Sequence, residues 1–292
     1  MSLNVFLQNL INGISLGCLF ALIAIGYTMV YGILRLINFA HGDIFMMATF
    51  FAYYAIALFS LPWGLAFFAA IILTMLLGII VDRVAYRPLR DAPRISSLCS
   101  AIGMSFFLEN LAIVVFGGRP KPFFRPEFFG QTFIISDIRI QSVSLVTPLV
   151  SIFFLLILTY IIYRTKTGLA MRAISKDFDT AKLMGINLNR TIAFTFAIGS
   201  GLAAVGAILW ALRYPQIFPF MGMFPGWRAF TAAIIGGIGS IKGAMLGGFL
   251  LGLITIMIVA FFPEQAGYKD AFVFILLIFV LLYKPEGLFG EE

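Results

Sequence analysis

The sequence predicts an all-α polytopic membrane protein with about eight transmembrane helices. Three observations carry this. Of 292 residues, 61% are hydrophobic and only 11% are charged, whereas a soluble domain carries about 25% charged residues. The mean hydropathy is +1.03. The apolar residues lie in long charge-free stretches such as Ile44 to Val81, not in ten-residue alternating segments of the kind that build a membrane barrel. The whole chain, 1–292, is read as a single transmembrane domain.

Met1 to Leu34 carries no charge and predicts a first span over about Phe6 to Ile33, without the basic start and small-residue cleavage site of a removable signal. Gly13, Gly17 and Ala21 repeat every fourth residue, a strip suited to close helix contact in lipid. Arg35, Asn38, His41 and Asp43 follow, His41 being the chain's one histidine. Ile44 to Val81 reads as two spans joined at Leu61-Pro62-Trp63-Gly64, because proline and glycine interrupt helices. Asp82 to Arg94, with four arginines and two aspartates, reads as an aqueous loop.

Ile95 to Phe116 predicts the next span. It contains Glu109 and Asn110, and an acid inside such a segment must face protein or water. Gly117 to Gln141 reads as a polar loop with little helical pattern, and Val143 to Tyr163 as a span. Arg164 to Arg190 is a polar run with six Lys/Arg and two Asp. Within it Met171, Ile174, Phe178 and Ala181 recur at steps of three and four, the spacing of one helix face.

Thr191 to Leu212 spans again, and Arg213 to Arg228 reads as a loop. Ala229 to Ile241 is apolar but short for a span, and Gly236, Gly237 and Gly239 end it. That pattern predicts a re-entrant or broken helix over 229–243. Gly243 to Phe262 makes a full span. Ala271 to Tyr283 spans with help from its flanks, and a short acidic tail closes the chain. If Arg164 to Arg190 is cytoplasmic and the sides alternate, thirteen of the twenty Lys/Arg fall inside, as the positive-inside rule expects.

An enzyme is not legible here. One histidine and the isolated Cys18 and Cys99, read as small buried hydrophobes, offer no metal or disulfide spacing. No cofactor and no metal is expected. Gly236 to Gly243 departs from a phosphate loop, since Ile241 precedes Lys242 and Gly243 follows it. The net charge of +7 lies between apolar spans, where topology accounts for it, and not in a nucleic-acid patch. Candidates for a translocation path or gate are Asn38, His41, Asp43, Glu109, Gly236, Gly237 and Gly239. All but Asn38 also have a structural reading: a helix-cap cluster for His41 and Asp43, pairing with Asn110 or another helix for Glu109, and close packing for the glycines.

Ala24-Ile25-Gly26-Tyr27-Thr28-Met29-Val30-Tyr31-Gly32, Ile37-Asn38-Phe39-Ala40-His41-Gly42-Asp43 and Val84-Ala85-Tyr86-Arg87-Pro88-Leu89-Arg90 together resemble the branched-chain amino acid ABC transporter permeases. So do Ala101-Ile102-Gly103-Met104-Ser105, Ala229-Phe230-Thr231-Ala232-Ala233, Gly236-Gly237-Ile238-Gly239-Ser240 and Lys284-Pro285-Glu286-Gly287-Leu288-Phe289-Gly290. The similarity runs the whole length in order, and is to the H-type subunit. It implies a subunit of the bacterial inner membrane that forms a translocation path while separate subunits hydrolyse ATP. The cytoplasmic loop 164–190 would then couple to the ATPase through Gly168, Arg172, Ala173, Asp179, Ala181, Gly185 and Ile186. The implied partners are a second permease subunit or a second copy, two ATP-binding subunits, an extracytoplasmic substrate-binding protein and membrane lipid. Permeases for urea, short amides or other amino acids stand as alternatives. So does a stand-alone secondary transporter or channel, although Glu109 is almost the only carboxylate within a predicted span.

Overall fold

The computed structural model describes residues 3–90, 92–135 and 138–290. Its helices are α1 (Leu3–Leu34), α2 (His41–Ala57), α3 (Trp63–Val81), α4 (Arg94–Phe116), α5 (Glu127–Gly130), α6 (Ser142–Arg164), α7 (Lys166–Lys176), α8 (Phe178–Leu183), α9 (Leu188–Arg213), α10 (Met223–Gly236), α11 (Ile241–Phe261) and α12 (Lys269–Tyr283). Strands β1 (Lys121–Pro122) and β4 (Gln216–Ile217) pair antiparallel, and β2 (Thr132–Ile135) and β3 (Ile138–Gln141) form a hairpin. Among the described residues seven helical stretches have the length and apolarity to cross a membrane. The helices α2 and α10, of 17 and 14 residues, are too short to cross about 30 Å of hydrocarbon alone.

The interior helices are α1 and α9, which are buried along most of their length, while α4, α6 and α12 expose apolar side chains outward. The glycine strips explain how the interior closes. A Cβ placed on Gly17 of α1 would lie 2.6 Å from the carbonyl oxygen of Phe249 on α11. Gly248 and Gly252 of α11 pack on Ala21 and Gly17, and its other face sets Gly243 and Gly247 against Gly236 and Ala232 of α10. Close backbone approach of this kind is how helices associate where lipid removes the hydrophobic drive.

The helix pairings repeat. α1 packs on α11 as α9 packs on α3, α2 on α3 as α10 on α11, and α2 on α4 as α10 on α12. The antiparallel helices α1 and α9 meet at Gly26 and Gly199, and α2 and α10 meet at Gly42 and Gly222. This is the pattern of an inverted repeat, with α1–α4 and α9–α12 as the halves about an axis in the membrane plane.

Each half contains one short helix that begins at depth. Beyond Leu34 the chain turns at Arg35, with φ of 53°, and returns along α1 until the His41 ring lies 4.5 Å from that of Tyr27. Tyr27 sits seven residues before the end of α1, roughly 10 Å at the helical rise. In the other half residues 214–222 lead to α10 and carry the buried Ile217 and Met221. Irregular backbone is tolerated at membrane depth when protein surrounds it.

Four expectations are corrected. α10 begins at Met223, inside the stretch read as loop, because Pro225 lies in its first turn, where a missing N–H costs nothing. It ends at Gly236, before a turn through Gly237 and Gly239 at positive φ, so the break anticipated near 229–243 falls at 237–240. Residues 82–89 continue α3 as a π turn and a 3-10 turn, with Asp82 and Tyr86 buried. Burial is permitted by the Asp82–Arg90 ion pair at 2.6 Å. The polar stretch 117–141 holds β1, β2, β3 and α5. Finally, Cys99 is exposed and Cys18 only partly buried.

The tail closes the end of α10. Leu288 and Phe289 donate their N–H groups to the carbonyls of Ile235 and Gly236 at 2.8 and 2.9 Å, satisfying acceptors that a helix C-terminus leaves open. Gly287, at φ of 83°, abuts the backbone of Gly237. The acidic tail residues Glu291 and Glu292 lie outside the described residues.

Candidate functional site

Asp43 and Glu109 come together. Asp43 lies in the first turn of α2, where a negative charge complements the helix dipole, and it accepts a hydrogen bond of 2.5 Å from the Ser105 hydroxyl of α4. Glu109 lies one helical turn further along α4. Ile102, Ser105, Phe106 and Glu109 follow the i, i+3, i+4, i+7 spacing of one helix face, and all four line a cavity of about 340 Å3 with Asp43. Its other walls are Tyr27, Ile37 and Phe39, together with Met223, Trp227 and Phe230 of α10. The floor is the contact of Gly42 with Gly222 and Gly226, where the N-terminal turns of α2 and α10 converge.

His41 and Asn38 stand behind this cavity. His41 is buried edge-on against Tyr27, its Nε2 without a partner among the described residues. The Asn38 Oδ1 accepts a hydrogen bond of 3.0 Å from the Tyr86 hydroxyl. Asn38 therefore ties the returning segment 35–40 to the turn after α3. Gly236 and Gly237 lie at the far end of α10, packed against Gly243 and the tail. Gly239 lines a second cavity, of about 720 Å3, with Arg35, Arg172, Lys176 and Lys242. The structure thus splits the path and gate candidates among a mid-depth cavity, its supports and the opposite end of α10.

At that end the polar run forms two helices. Thr165 caps α7, its hydroxyl accepting from the Gly168 N–H at 3.1 Å, and Asp177 breaks the run by capping α8. Hydrogen bonds from the Thr180 hydroxyl and amide hold the exposed Asp177 carboxyl below the usual aspartate range. Met171, Ile174 and Ala181 are buried, while Phe178 is exposed. α7 packs on α1, α6 and α9, so the apolar face is occupied by the chain's own membrane helices.

The residues expected to couple divide accordingly. Gly168 lets α7 approach the last carbonyls of α6, and Arg172 stacks on Tyr163 with its guanidinium 5.2 Å from the ring centre. Ala173 and Ile186 are half-buried and Ala181 is buried. Asp179 and Gly185 are exposed, Gly185 with open space around it. The outward surface is Leu169, Phe178, Leu183 and Met184, the last two 87% and 78% exposed. Arg90 joins this end to the core, donating to Asn189 at 2.7 Å and to Asp82 at 2.6 Å.

Sequence reasoning missed Tyr27, Ser105 and Trp227 as cavity residues, and Leu183 and Met184 as surface. Ser105 carried a signal, since it stands four residues before Glu109 on the same helix face. Leu183 and Met184 carried one too, as apolar residues in a polar run outside the buried spacing. Nothing in the sequence placed Tyr27 opposite Asp43.

The comparisons agree with this architecture. The family model described as branched-chain amino acid transport system / permease component matches residues 9–281. The chain is 44% identical to the high-affinity branched-chain amino acid transport system permease protein BraD of Pseudomonas aeruginosa, over 98% of this chain and 96% of that one. It is 41% identical to the corresponding permease protein LivH of Escherichia coli K12, with the same coverage. Among solved structures, PsaBC from Streptococcus pneumoniae in complex with Fab has a similar fold, with a TM-score of 0.50 and 16% identity over 97% of this chain and 92% of that one. Two halves of opposed helices about a mid-depth cavity, matched over nearly the full length by permease proteins, place this chain in the family of branched-chain amino acid transport system permease components.

Proposed function

We propose that this chain is a permease subunit of an ABC importer in the bacterial inner membrane, moving branched-chain amino acids inward with energy supplied by separate ATP-binding subunits. The observation that carries the reading is the mid-depth cavity between α2, α4 and α10. It combines a few polar groups with apolar and aromatic walls, the composition of a small-molecule path. It opens beside the exposed Phe106 and Trp227. Carboxylates opening onto lipid are costly, which supports a second permease subunit covering this flank.

Coupling is assigned to the outward surface of α7 and α8. α8 packs on α7, and α7 packs on α1, α6 and α9, so a push on Leu183 and Met184 would reach the membrane helices through α7. An extracytoplasmic binding protein would deliver substrate at the opposite end, where β1 and β4 pair.

Reconstitution with the partner subunits tests this reading. Vesicles should accumulate leucine, isoleucine and valine when ATP is present, and accumulation should vanish when the ATPase is catalytically dead. Sustained concentrative uptake with the dead ATPase would refute it.

A further inference from the structure

The cavity of about 720 Å3 lies where α1, α6 and α7 finish and α11 begins. Arg35, Arg172, Lys176 and Lys242 line it, and among the described residues no Asp or Glu does. None of the four cations forms an ion pair with a described residue. The ends of α1, α6 and α7 each carry about half a negative elementary charge, so together they offset less than half of the four positive charges. Like charges around one space repel until an anion enters. Two buried donors at this cavity also lack partners. Thr28 is wholly buried with its hydroxyl unpaired, whereas Thr74, Thr195, Thr231 and Thr255 each donate to the carbonyl four residues earlier in their helices. Arg172 stacks its guanidinium on Tyr163 and leaves its Nε buried and unbonded. A buried donor without an acceptor is costly.

Apolar residues complete the walls, and Tyr163 joins them to the outside of the bundle. Phe153, Leu156, Tyr160 and Tyr163 of α6 follow one another at steps of three and four and are all exposed, an apolar stripe that faces hydrocarbon in a membrane. Basic pockets between membrane helices hold anionic lipid headgroups. We propose that this cavity seats the phosphate group of an anionic phospholipid whose acyl chains lie along the α6 stripe. Arginine and lysine donors bind the phosphate oxygens, as charge-assisted hydrogen bonds favour. An ethanolamine headgroup is disfavoured, because its ammonium would meet four cations and no acid. The cations come from the residue after α1, from α7 and from α11, so a bound phosphate ties these three elements together. Lipid thereby fixes α7 in its seat, whichever substrate the permease moves.

Hydrogen exchange over residues 166–176 reads the occupancy. The assembled transporter, free of nucleotide, is stripped of lipid in a neutral detergent until phosphorus analysis finds none. It is then titrated with dioctanoyl phosphatidylglycerol, with the phosphatidylethanolamine of the same chains, or with inorganic phosphate at fixed ionic strength. Phosphatidylglycerol should slow exchange saturably, and the other two should do so at least about 10-fold more weakly. Lys176→Gln with Lys242→Gln should raise the half-saturating phosphatidylglycerol concentration by about 10-fold or more, the share of two lysines at a phosphate. Both lysines are exposed, so the fold should be kept. Lys166→Gln removes an exposed cation of α7 that does not line the cavity, and should leave the titration unchanged.

The ligand series needs no variant, so it decides even if a substitution prevents folding. Phosphatidylethanolamine as effective as phosphatidylglycerol would overturn the proposal, as would inorganic phosphate acting as strongly as the lipid. A loss with Lys166→Gln equal to that of the lysine pair would overturn it too, since general attraction of α7 to an anionic surface would then suffice. Unchanged exchange on adding phosphatidylglycerol to the stripped wild-type complex would overturn it outright.

Discussion

Gly42 and Gly222 face each other backbone to backbone, and each would place an added Cβ against the other's carbonyl. A methyl group here has no side chain to displace. Gly222→Ala is therefore expected to destabilise the protein by about 1–3 kcal/mol, the usual cost of overpacking, read as an earlier denaturation midpoint in detergent. Gly64→Ala, with open space around that glycine, serves as the control and should leave the midpoint unchanged. Asp177 makes a prediction in pH. Its pKa is depressed in the folded state by its bonds to Thr180, so its cap is present above the unfolded value of about 3.9 and lost as pH falls through the folded value. Hydrogen exchange of residues 178–183, corrected for intrinsic rate, should quicken at low pH, and Asp177→Asn should flatten that dependence.

The elements show where sequence and structure part. Glycines at four-residue spacing were readable as helix seams because close packing in lipid requires small residues whatever the fold. The apolar spacing of Met171, Ile174 and Ala181 was equally readable, but its destination was not. An amphipathic helix looks the same whether its apolar face meets a partner or its own bundle, and here it meets the bundle. α10 was misplaced because Pro225 and Arg228 resemble loop residues. Arg228 is held instead by Asp270 of α12 at 2.6 Å, a partner forty-two positions away. The tail motif was recognisable only by resemblance, and its physical role is to cap α10. Gly287→Ala should lift it, because both its φ and its contact with Gly237 exclude a side chain. Faster hydrogen exchange at Gly237, with no change in the α1–α11 seam, would be the expected signature.

The whole molecule consists of two opposed halves joined by the segment that carries α7 and α8. The spans were legible because hydropathy alone selects them. The inverted relation was not, since it shows in which helices touch and not in an evident repeat of residues. Nor was the cavity, which gathers Tyr27, Asp43, Glu109 and Trp227 from four helices. In this arrangement the cavity proposed as the substrate path lies at mid-depth, while the exposed ridge of Leu183 and Met184 stands at the end where the basic residues gather. The central claim is that work from the ATPase enters through this ridge. It is tested most directly by the ratio of leucine imported to ATP hydrolysed in vesicles carrying Leu183→Asp with Met184→Asp. Both residues are exposed, so membrane insertion and assembly of the bundle should be kept. The account predicts a ratio at least about 10-fold below wild type, the loss of a docking contact worth about 1.4 kcal/mol or more. A ratio equal to that of the wild type would contradict it.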